Sequence, residues 1–360
     1  MRVLLAGGGT GGHIYPLLAV AQAAPDWRCS YVGTATGLEA RIVPRTGIPF
    51  HTVAAGGVRG KSPTQRLRGL WRTAHGSLGA WRLLGRLRPD VVVSSGGYAA
   101  FPVALAARWR RIPLVLIEPN ATPGLANRIL MGRADCILVG YAAAREKLPA
   151  ALQHRTAVTG VPVRTFGARE RLAARKAIGI EQDSVLVAVT GGSQGARALT
   201  SAVCSIGERI GKGEEVLLAT GQREYERWSA RAEGRLHIVP YFWNMDDVLA
   251  AADVFIGRAG AMTCAELTVM GLPSVLVPLP NAAVHQIDNA RLLVDAGAAV
   301  LLEEDRLTPE TLWQTLEPLL RDPVLRAQMA DASRAIGQPD AAAAVVREVR
   351  HVVAGRSVTA

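Results

Sequence analysis

Four glycine-rich turns could bring backbone amides against an anion: Gly7-Gly8-Gly9-Thr10-Gly11-Gly12-His13, Ser94-Ser95-Gly96-Gly97-Tyr98, Thr190-Gly191-Gly192-Ser193-Gln194-Gly195 and Arg258-Ala259-Gly260-Ala261. Glycine has no Cβ, so a phosphate can approach the main-chain N–H groups, and a following helix adds the positive end of its dipole. Any one such turn could be only a tight strand-to-helix connection. Four of them, two in each half of the chain, point to a phosphate-rich ligand in a cleft between two domains. The first turn also satisfies GxGxxG at Gly7, Gly9 and Gly12. A dinucleotide site adds an acidic residue at the end of the second strand, ~20 residues on, for the ribose hydroxyls. Here that strand ends in Val32-Gly33-Thr34, with Asp26 before it and Glu39 well after it, and there is no GxxxxGK[ST]. A nicotinamide-linked dehydrogenase is therefore a weak reading, and a P-loop enzyme is excluded.

Short β-branched runs alternate with alanine-rich helical stretches along the chain. The strand candidates are Val3–Ala6, Cys29–Val32, Val91–Ser94, Leu114–Ile117, Cys136–Val139 and Ala157–Thr159, then Val185–Thr190, Val216–Ala219, Leu236–Val239, Val254–Ile256 and Ser274–Val277. Continuous apolar runs of this length fit strands covered by helices on both faces, hence parallel sheets. The pattern restarts after Gly160-Val161-Pro162. The fold class read from this is α/β, with two Rossmann-like doubly wound domains, 1–162 and 163–339. An alanine-rich helical tail, 340–360, follows Gly337-Gln338-Pro339 and is expected to pack back on the first domain. There is no low-complexity tract and no fixed-period repeat.

With 360 residues, 49% hydrophobic and 20% charged, the chain can build packed cores and shows no signature of disorder. No run approaches the ~18 to 20 apolar residues of a membrane span. The opening MRVLLAGGG has too short an apolar run for a signal peptide. Cys29, Cys136, Cys204 and Cys264 are scattered without CxxC or paired Cys/His spacing, which argues against a disulfide scaffold or structural zinc and suits a reducing cytosol. The net charge of +11 is uneven: residues 1–160 hold 20 Lys/Arg against 6 Asp/Glu, and no acid falls between Glu39 and Asp90. Such asymmetry suggests an anionic partner for the first half. From Ser62-Pro63-Thr64-Gln65, a helix-start signature, Leu67, Trp71, Ala74, Leu78 and Trp81 recur at helical spacing, beside Arg68, Arg72, His75, Arg82 and Arg86. This is the composition of an interfacial helix on anionic lipid, and Arg108-Trp109-Arg110-Arg111 adds a second cluster. The alternative is an ordinary surface helix packed on its own sheet, and Gly69, Gly76, Gly79 and Gly85 weaken the helix by ~1 kcal/mol each relative to alanine. No recognition-helix, RRM or zinc-finger pattern supports nucleic acid.

Taken together, Gly9-Thr10-Gly11-Gly12-His13, Gly96-Gly97-Tyr98, Asn120-Ala121-Thr122-Pro123-Gly124-Leu125-Ala126-Asn127, Gly191-Gly192-Ser193-Gln194-Gly195-Ala196-Arg197 and the run from Arg258 through Glu266 to Gln286 and Asn289 resemble the MurG family. Its members are bacterial N-acetylglucosaminyltransferases that convert lipid I to lipid II in peptidoglycan synthesis. The resemblance spans nearly the whole chain, and GGSQGAR is its most specific stretch. It implies a GT-B fold, two Rossmann-like domains around a cleft. The C-terminal half would bind UDP-GlcNAc, and the N-terminal half the polyprenyl-diphosphate acceptor at the cytoplasmic face of the plasma membrane. Carried over by motif, Arg164, Phe242 and Met245 would flank the uracil. Ser193 and the loop Ala261-Met262-Thr263 would meet the donor diphosphate and Glu266 the ribose hydroxyls, with Gln194 and Arg258 as further substrate-binding candidates. Gln286 and Asn120 would address the GlcNAc ring, and Thr10, Gly11 and Gly12 would lie between donor and acceptor, with Asn289, Gly96, Gly97 and Tyr98 as further substrate-binding candidates.

The implied reaction is an inverting displacement: the muramoyl 4-hydroxyl attacks the anomeric carbon, UDP leaves and a β-1,4 linkage forms. It needs a base for the hydroxyl proton. Imidazole titrates near working pH, so His13 is the first candidate, with acceptor-phosphate binding as its alternative. Glu118 is the second ionisable candidate, with an N-cap or ion pair as its plain reading. No DxD-like cluster offers a metal site, so no obligatory cofactor is expected, with magnesium only as a companion of the diphosphates. Helix and glycine-loop amides would stabilise the leaving diphosphate instead. The sequence departs from the family pattern at Ile117-Glu118-Pro119-Asn120 (usually His-Glu-Gln-Asn), at Gly160-Val161-Pro162-Val163-Arg164 (usually Gly-Asn-Pro-Val-Arg) and at His285-Gln286 (usually Gln-Gln). The rival readings are another GT-B transferase with a lipid acceptor, a UDP-GlcNAc epimerase on the same fold, and a nucleotide-sugar-binding scaffold without activity.

Overall fold

The computed structural model describes residues 1–56, 63–164, 170–192, 195–280 and 283–355, with backbone alone for residues 63–72 and 283–284. The chain forms two units, the first from Met1–Thr165 and Pro339–Ala360, the second from Phe166–Gln338. Unit 1 contains seven strands: β1 (Arg2–Gly7), β2 (Arg28–Gly33), β3 (Phe50–Thr52), β4 (Val91–Gly96), β5 (Leu114–Glu118), β6 (Cys136–Val139) and β7 (Thr156–Val158). They lie in the order β3-β2-β1-β4-β5-β6-β7, every neighbouring pair parallel. Unit 2 contains β8 (Val185–Thr190), β9 (Glu214–Ala219), β10 (Leu236–Val239), β11 (Val254–Gly257), β12 (Ser274–Leu276) and β13 (Ala299–Leu301), in the all-parallel order β10-β9-β8-β11-β12-β13.

In each sheet the winding reverses direction once, beside β1 in unit 1 and beside β8 in unit 2. Ligands of open parallel sheets bind in the crevice outside the strand ends at such a switch point. The four glycine turns follow β1, β4, β8 and β11, so each unit carries its two turns side by side at its own switch point.

The apolar runs produce this arrangement because both sheet faces are covered. β4 is buried along its whole length. On one face of the unit 1 sheet, Leu4, Val92 and Leu116 pack with Ala80, Leu83 and Leu84 of the helix Pro63–Leu87. The other face packs Val3, Leu5, Val93 and Ile117 against Ile14, Leu17 and Val20 of the helix Gly11–Gln22. Val345, Val346 and Val349, one stripe of the terminal helix Ala341–Val353, join that second cluster. The helix is further tied by Arg350 to Asp26 at 2.9 Å.

Two glycines that weaken the helix Pro63–Leu87 have reasons in its packing. A Cβ at Gly76 would strike the Ala54 carbonyl, and one at Gly85 the Arg110 guanidinium. The helix-start residue Ser62 lies outside the described residues. In unit 2 a buried arginine replaces a hydrophobic plug. Arg175 donates to the carbonyls of Ala251, Glu181, Gln182 and Ser184 and to Asp253 at 2.7 Å, joining the connections that lead into β8 and β11.

Candidate active site

At the unit 1 switch point the turns after β1 and β4 interlock. Gly97, at φ +80°, lies so close to the Gly8 carbonyl and the His13 ring that a side chain would displace them. The Ser95 hydroxyl donates to the His13 carbonyl, fixing the first turn of the helix Gly11–Gln22. The His13 Nδ1 is 3.2 Å from Thr10 Oγ1, so the hydroxyl orients the imidazole. Gly11 and Gly12 open the same helix, where backbone N–H groups lack intrahelical partners and the dipole is positive. The Tyr98 ring covers Gly9 and is itself about one-third exposed. His13, Thr10, Gly11, Gly12, Gly96, Gly97 and Tyr98 therefore share one end of the sheet. Arg164 belongs to this unit as well: its guanidinium carbon sits 5.5 Å from the Tyr15 ring centroid on the same helix.

Glu118, at the end of β5, has a different character. It is 1% exposed. Its Oε1 accepts from the Asn120 N–H and Nδ2, both at 2.9 Å, and its Oε2 from the Gly124 N–H at 2.8 Å and Asn127 Nδ2 at 3.0 Å. Those four donors surround the carboxylate and shape the loop 119–124 ahead of the helix Leu125–Met131. The bonds described for Glu118 are neither an N-cap nor an ion pair: its carboxylate holds Asn120 and the loop 119–124 in place.

In unit 2 a cavity of about 90 Å³ opens at the switch point between β8 and β11, lined by Thr190, Tyr241, Phe242, Met245, Arg258 and Glu266 among others. The glycine turn after β8 forms one wall at Gly192, whose N–H donates to Thr190 Oγ1 at 3.1 Å. Ser193 and Gln194, the centre of that turn, lie outside the described residues. The opposite wall is the helix Ala261–Met270, whose N-cap Gly260 supplies no side-chain cap. Its first turn, Ala261, Met262 and Thr263, thus presents unpaired helix N–H groups, and Thr263 also lines the cavity. Glu266, three residues past Thr263 and so nearly one helical turn on, brings a carboxylate into the same space.

The remaining expected residues hold this geometry in place. Arg258 donates to the carbonyls of Val277 at 3.1 Å and Pro278 at 3.4 Å and pairs with Glu304, which fixes its charge at the cavity edge. Gln286 Oε1 accepts from the Leu279 N–H at 2.8 Å, closing the loop after β12. Asn289 is fully buried and donates to the Ala259 carbonyl at 3.2 Å. Asn289, a substrate-binding candidate from the sequence, thereby supports the turn at residues 258–260. Among the described residues, no three His, Cys, Asp or Glu side chains group as a metal site.

Comparison with known proteins decides the family. Residues 3–139 match the glycosyltransferase family 28 N-terminal domain and residues 186–345 its C-terminal domain. Two relatives are named UDP-N-acetylglucosamine–N-acetylmuramyl-(pentapeptide) pyrophosphoryl-undecaprenol N-acetylglucosamine transferase. That of Desulforudis audaxviator is 43% identical over 359 residues, covering 95% of each chain. That of Moorella thermoacetica is 38% identical over 370 residues, covering 98% of this chain and 99% of the relative. The chain belongs to the MurG family.

The crystal structure of MurG from Acinetobacter baumannii superposes with a TM-score of 0.76 at 29% identity, over 97% of this chain and 99% of that one. The fold is accordingly GT-B, and the protein is a glycosyltransferase. A UDP-GlcNAc 2-epimerase from Neisseria meningitidis also superposes, with a TM-score of 0.69 at 15% identity, which shows the shared fold alone. Sequence reasoning about this MurG-family site missed Tyr241 and Thr190, both in the cavity wall, and Asn127, which holds Glu118. Tyr241 adjoins the expected Phe242 in sequence and had no periodicity of its own to mark it. Asn127 stood inside a quoted motif, but nothing in its spacing from Glu118 announced a hydrogen bond.

Proposed function

We propose that the protein transfers GlcNAc from UDP-GlcNAc to the muramoyl 4-hydroxyl of N-acetylmuramyl-pentapeptide pyrophosphoryl-undecaprenol, with inversion, giving lipid II. The observation that carries this reading is the unit 2 cavity. One carboxylate, one arginine and a helix N-terminus converge there in a chain of the MurG family. A ribose is a natural partner for the Glu266 carboxylate, and the aromatic wall of Tyr241 and Phe242 suits a pyrimidine ring. The diphosphate would lie against the amides of Ala261–Thr263 and the turn at Gly192, which supply preorganised positive charge as UDP departs. No obligatory metal is part of this proposal, and magnesium enters only with the diphosphates.

His13 is proposed as the base, its ring oriented by Thr10, with Gly11 and Gly12 addressing the acceptor diphosphate. The acceptor's lipid requires a membrane surface, and unit 1 has the groups to meet one on its cytoplasmic face. Trp109 is 61% exposed, and Arg110 stacks at 4.0 Å on the half-exposed Trp81. Leu125 and Ile129 are exposed on the helix Leu125–Met131, which also carries the exposed Arg128. Among the described residues, no helix is long and apolar enough to cross a membrane.

The test is UDP release from UDP-GlcNAc with and without a short-prenyl muramyl-pentapeptide pyrophosphoryl acceptor, with product analysis. Acceptor-dependent release with a β-1,4 disaccharide is expected. In His13→Ala, turnover should fall by roughly 10²- to 10⁴-fold with donor affinity intact. UDP-GlcNAc binding without acceptor-dependent release would refute the proposal and turn attention to other lipid acceptors or to epimerisation.

A further inference from the structure

Glu39 has no place in the reaction proposed above, yet it is completely buried, beside the first glycine turn. It stands at the start of the short helix Glu39–Ile42, after β2, and its side chain runs back beneath the turn. Oε2 accepts from the Gly9 N–H at 3.0 Å; Oε1 accepts from the Thr34 N–H at 2.9 Å and the Thr34 hydroxyl at 2.7 Å. Three glycines make room for it, since a Cβ at Gly8, Gly33 or Gly37 would collide with its side chain. Nearby, the buried Tyr31 phenol donates to the Gly7 carbonyl at 3.2 Å. Burial first, and the Glu39 charge second, push that phenol well above its ordinary titration range, so it stays a donor.

We propose that Glu39 is a positioning residue for the acceptor turn, an internal carboxylate that binds the Gly9 amide as a ligand phosphate would and so divides the turn into two functions. In a dinucleotide fold the amides of this turn face a pyrophosphate, and an acid after the second strand reaches outward to a ribose. Here the acid reaches inward instead. A phosphate brought to the Gly9 N–H would meet a buried like charge. The anion-facing role is left to the turn's second part, Gly11 and Gly12 at the helix start, with Thr10 and His13 held in register. This inference rests on the transferase reading and specifies how its acceptor half is built.

The experiment is steady-state kinetics on the full chain for wild type, Glu39→Gln and Thr34→Val, varying donor and short-prenyl acceptor separately, with far-UV circular dichroism as a check on folding. In Glu39→Gln an amide N–H₂ must face at least one of the Gly9 and Thr34 donors, so the turn shifts. The acceptor KM should rise at least fivefold while the donor KM stays within twofold. Thr34→Val, which removes only the hydroxyl donor, should move the acceptor KM in the same direction by about twofold or more. A merely structural role would lower the active fraction, reducing kcat with both KM values unchanged, and that result overturns the inference. Wild-type acceptor KM in a folded Glu39→Gln also overturns it, as does wild-type acceptor KM in Thr34→Val should Glu39→Gln fail to fold. Absence of acceptor-dependent turnover in the wild type would instead defeat the transferase reading itself.

Discussion

Three glutamates, Glu39, Glu118 and Glu215, draw their hydrogen bonds mainly from neutral backbone and side-chain donors rather than from arginine or lysine. Glu118 gathers four such donors, and Glu215 accepts from the Glu181 N–H at 2.9 Å, Ser184 Oγ at 2.6 Å and His237 Nε2 at 2.7 Å. Such a carboxylate is worth most through what its removal leaves unpaired. Glu118→Gln keeps the shape but turns an N–H₂ toward donors that need an acceptor. It should cost about 1 to 3 kcal/mol in urea unfolding and speed amide exchange in Leu125–Met131. Glu215 supports a statement about pH. Burial alone would raise its pKa, but the bonds from Ser184, His237 and Glu181 outweigh burial and hold it below the ordinary value near 4.5. A depressed carboxylate stabilises the fold above its unfolded-state pKa, and that contribution is lost as pH falls through the lower folded value. Stability should therefore decline below about pH 4.5 in the wild type and decline less steeply in Glu215→Gln, as measured by urea midpoints across that range. A midpoint that falls equally in both proteins would remove Glu215 from the account.

At the scale of elements, the buried strands were legible because their β-branched runs have no other stable place than between two helical layers. β6, β8 and β10 occur at the bounds read from the sequence, and the other expected strands within a few residues. The two strands left unread, β3 and β13, are three-residue edge strands. β3 alternates into His51 and Thr52 and has no continuous apolar run to mark it, whereas β13 sits in the apolar run at residues 298–302, which directly follows a helix and was not separated from it. The glycine turns were legible as tight strand-to-helix turns at the switch points, since their backbone requirements are local. The work of Glu39 was not, because periodicity does not say where a long side chain will end. The signal that existed was the clustering of Gly8, Gly33 and Gly37, whose missing side chains leave the volume it fills. The tail helix was foreseen from composition, and its attachment rests on a valine stripe. Val349→Ala, at a site with no exposure, should cost about 2 kcal/mol and raise amide exchange across Ala341–Val353. Unchanged exchange there would show that the helix is held by its Arg350–Asp26 pair and flanking contacts instead.

For the whole molecule, the uneven charge becomes a prediction about surfaces. The first 160 residues carry 20 Lys/Arg and 6 Asp/Glu, and exposed tryptophan accompanies the arginines at Trp81 and Trp109. Binding to vesicles containing phosphatidylglycerol should weaken as salt rises from 0.1 to 0.5 M, because screening shortens the reach of those charges. Trp109→Ala should weaken it by roughly tenfold through lost apolar contact. Sedimentation with vesicles measures both, and equal binding to neutral vesicles would contradict the electrostatic part. The division of the chain has a consequence of another kind. Unit 2 is one unbroken stretch, Phe166–Gln338, whereas unit 1 needs residues 339 onward to complete a core begun at residue 1. On the ribosome the second unit can close as soon as it emerges. The first must wait, one apolar flank of β4 and of the helix Gly11–Gln22 uncovered, until Val345, Val346 and Val349 are synthesised. Its nascent chain is thus exposed to chaperones and proteases for the whole time that unit 2 takes to be translated, and damage near the carboxyl end will be felt at the amino-terminal half.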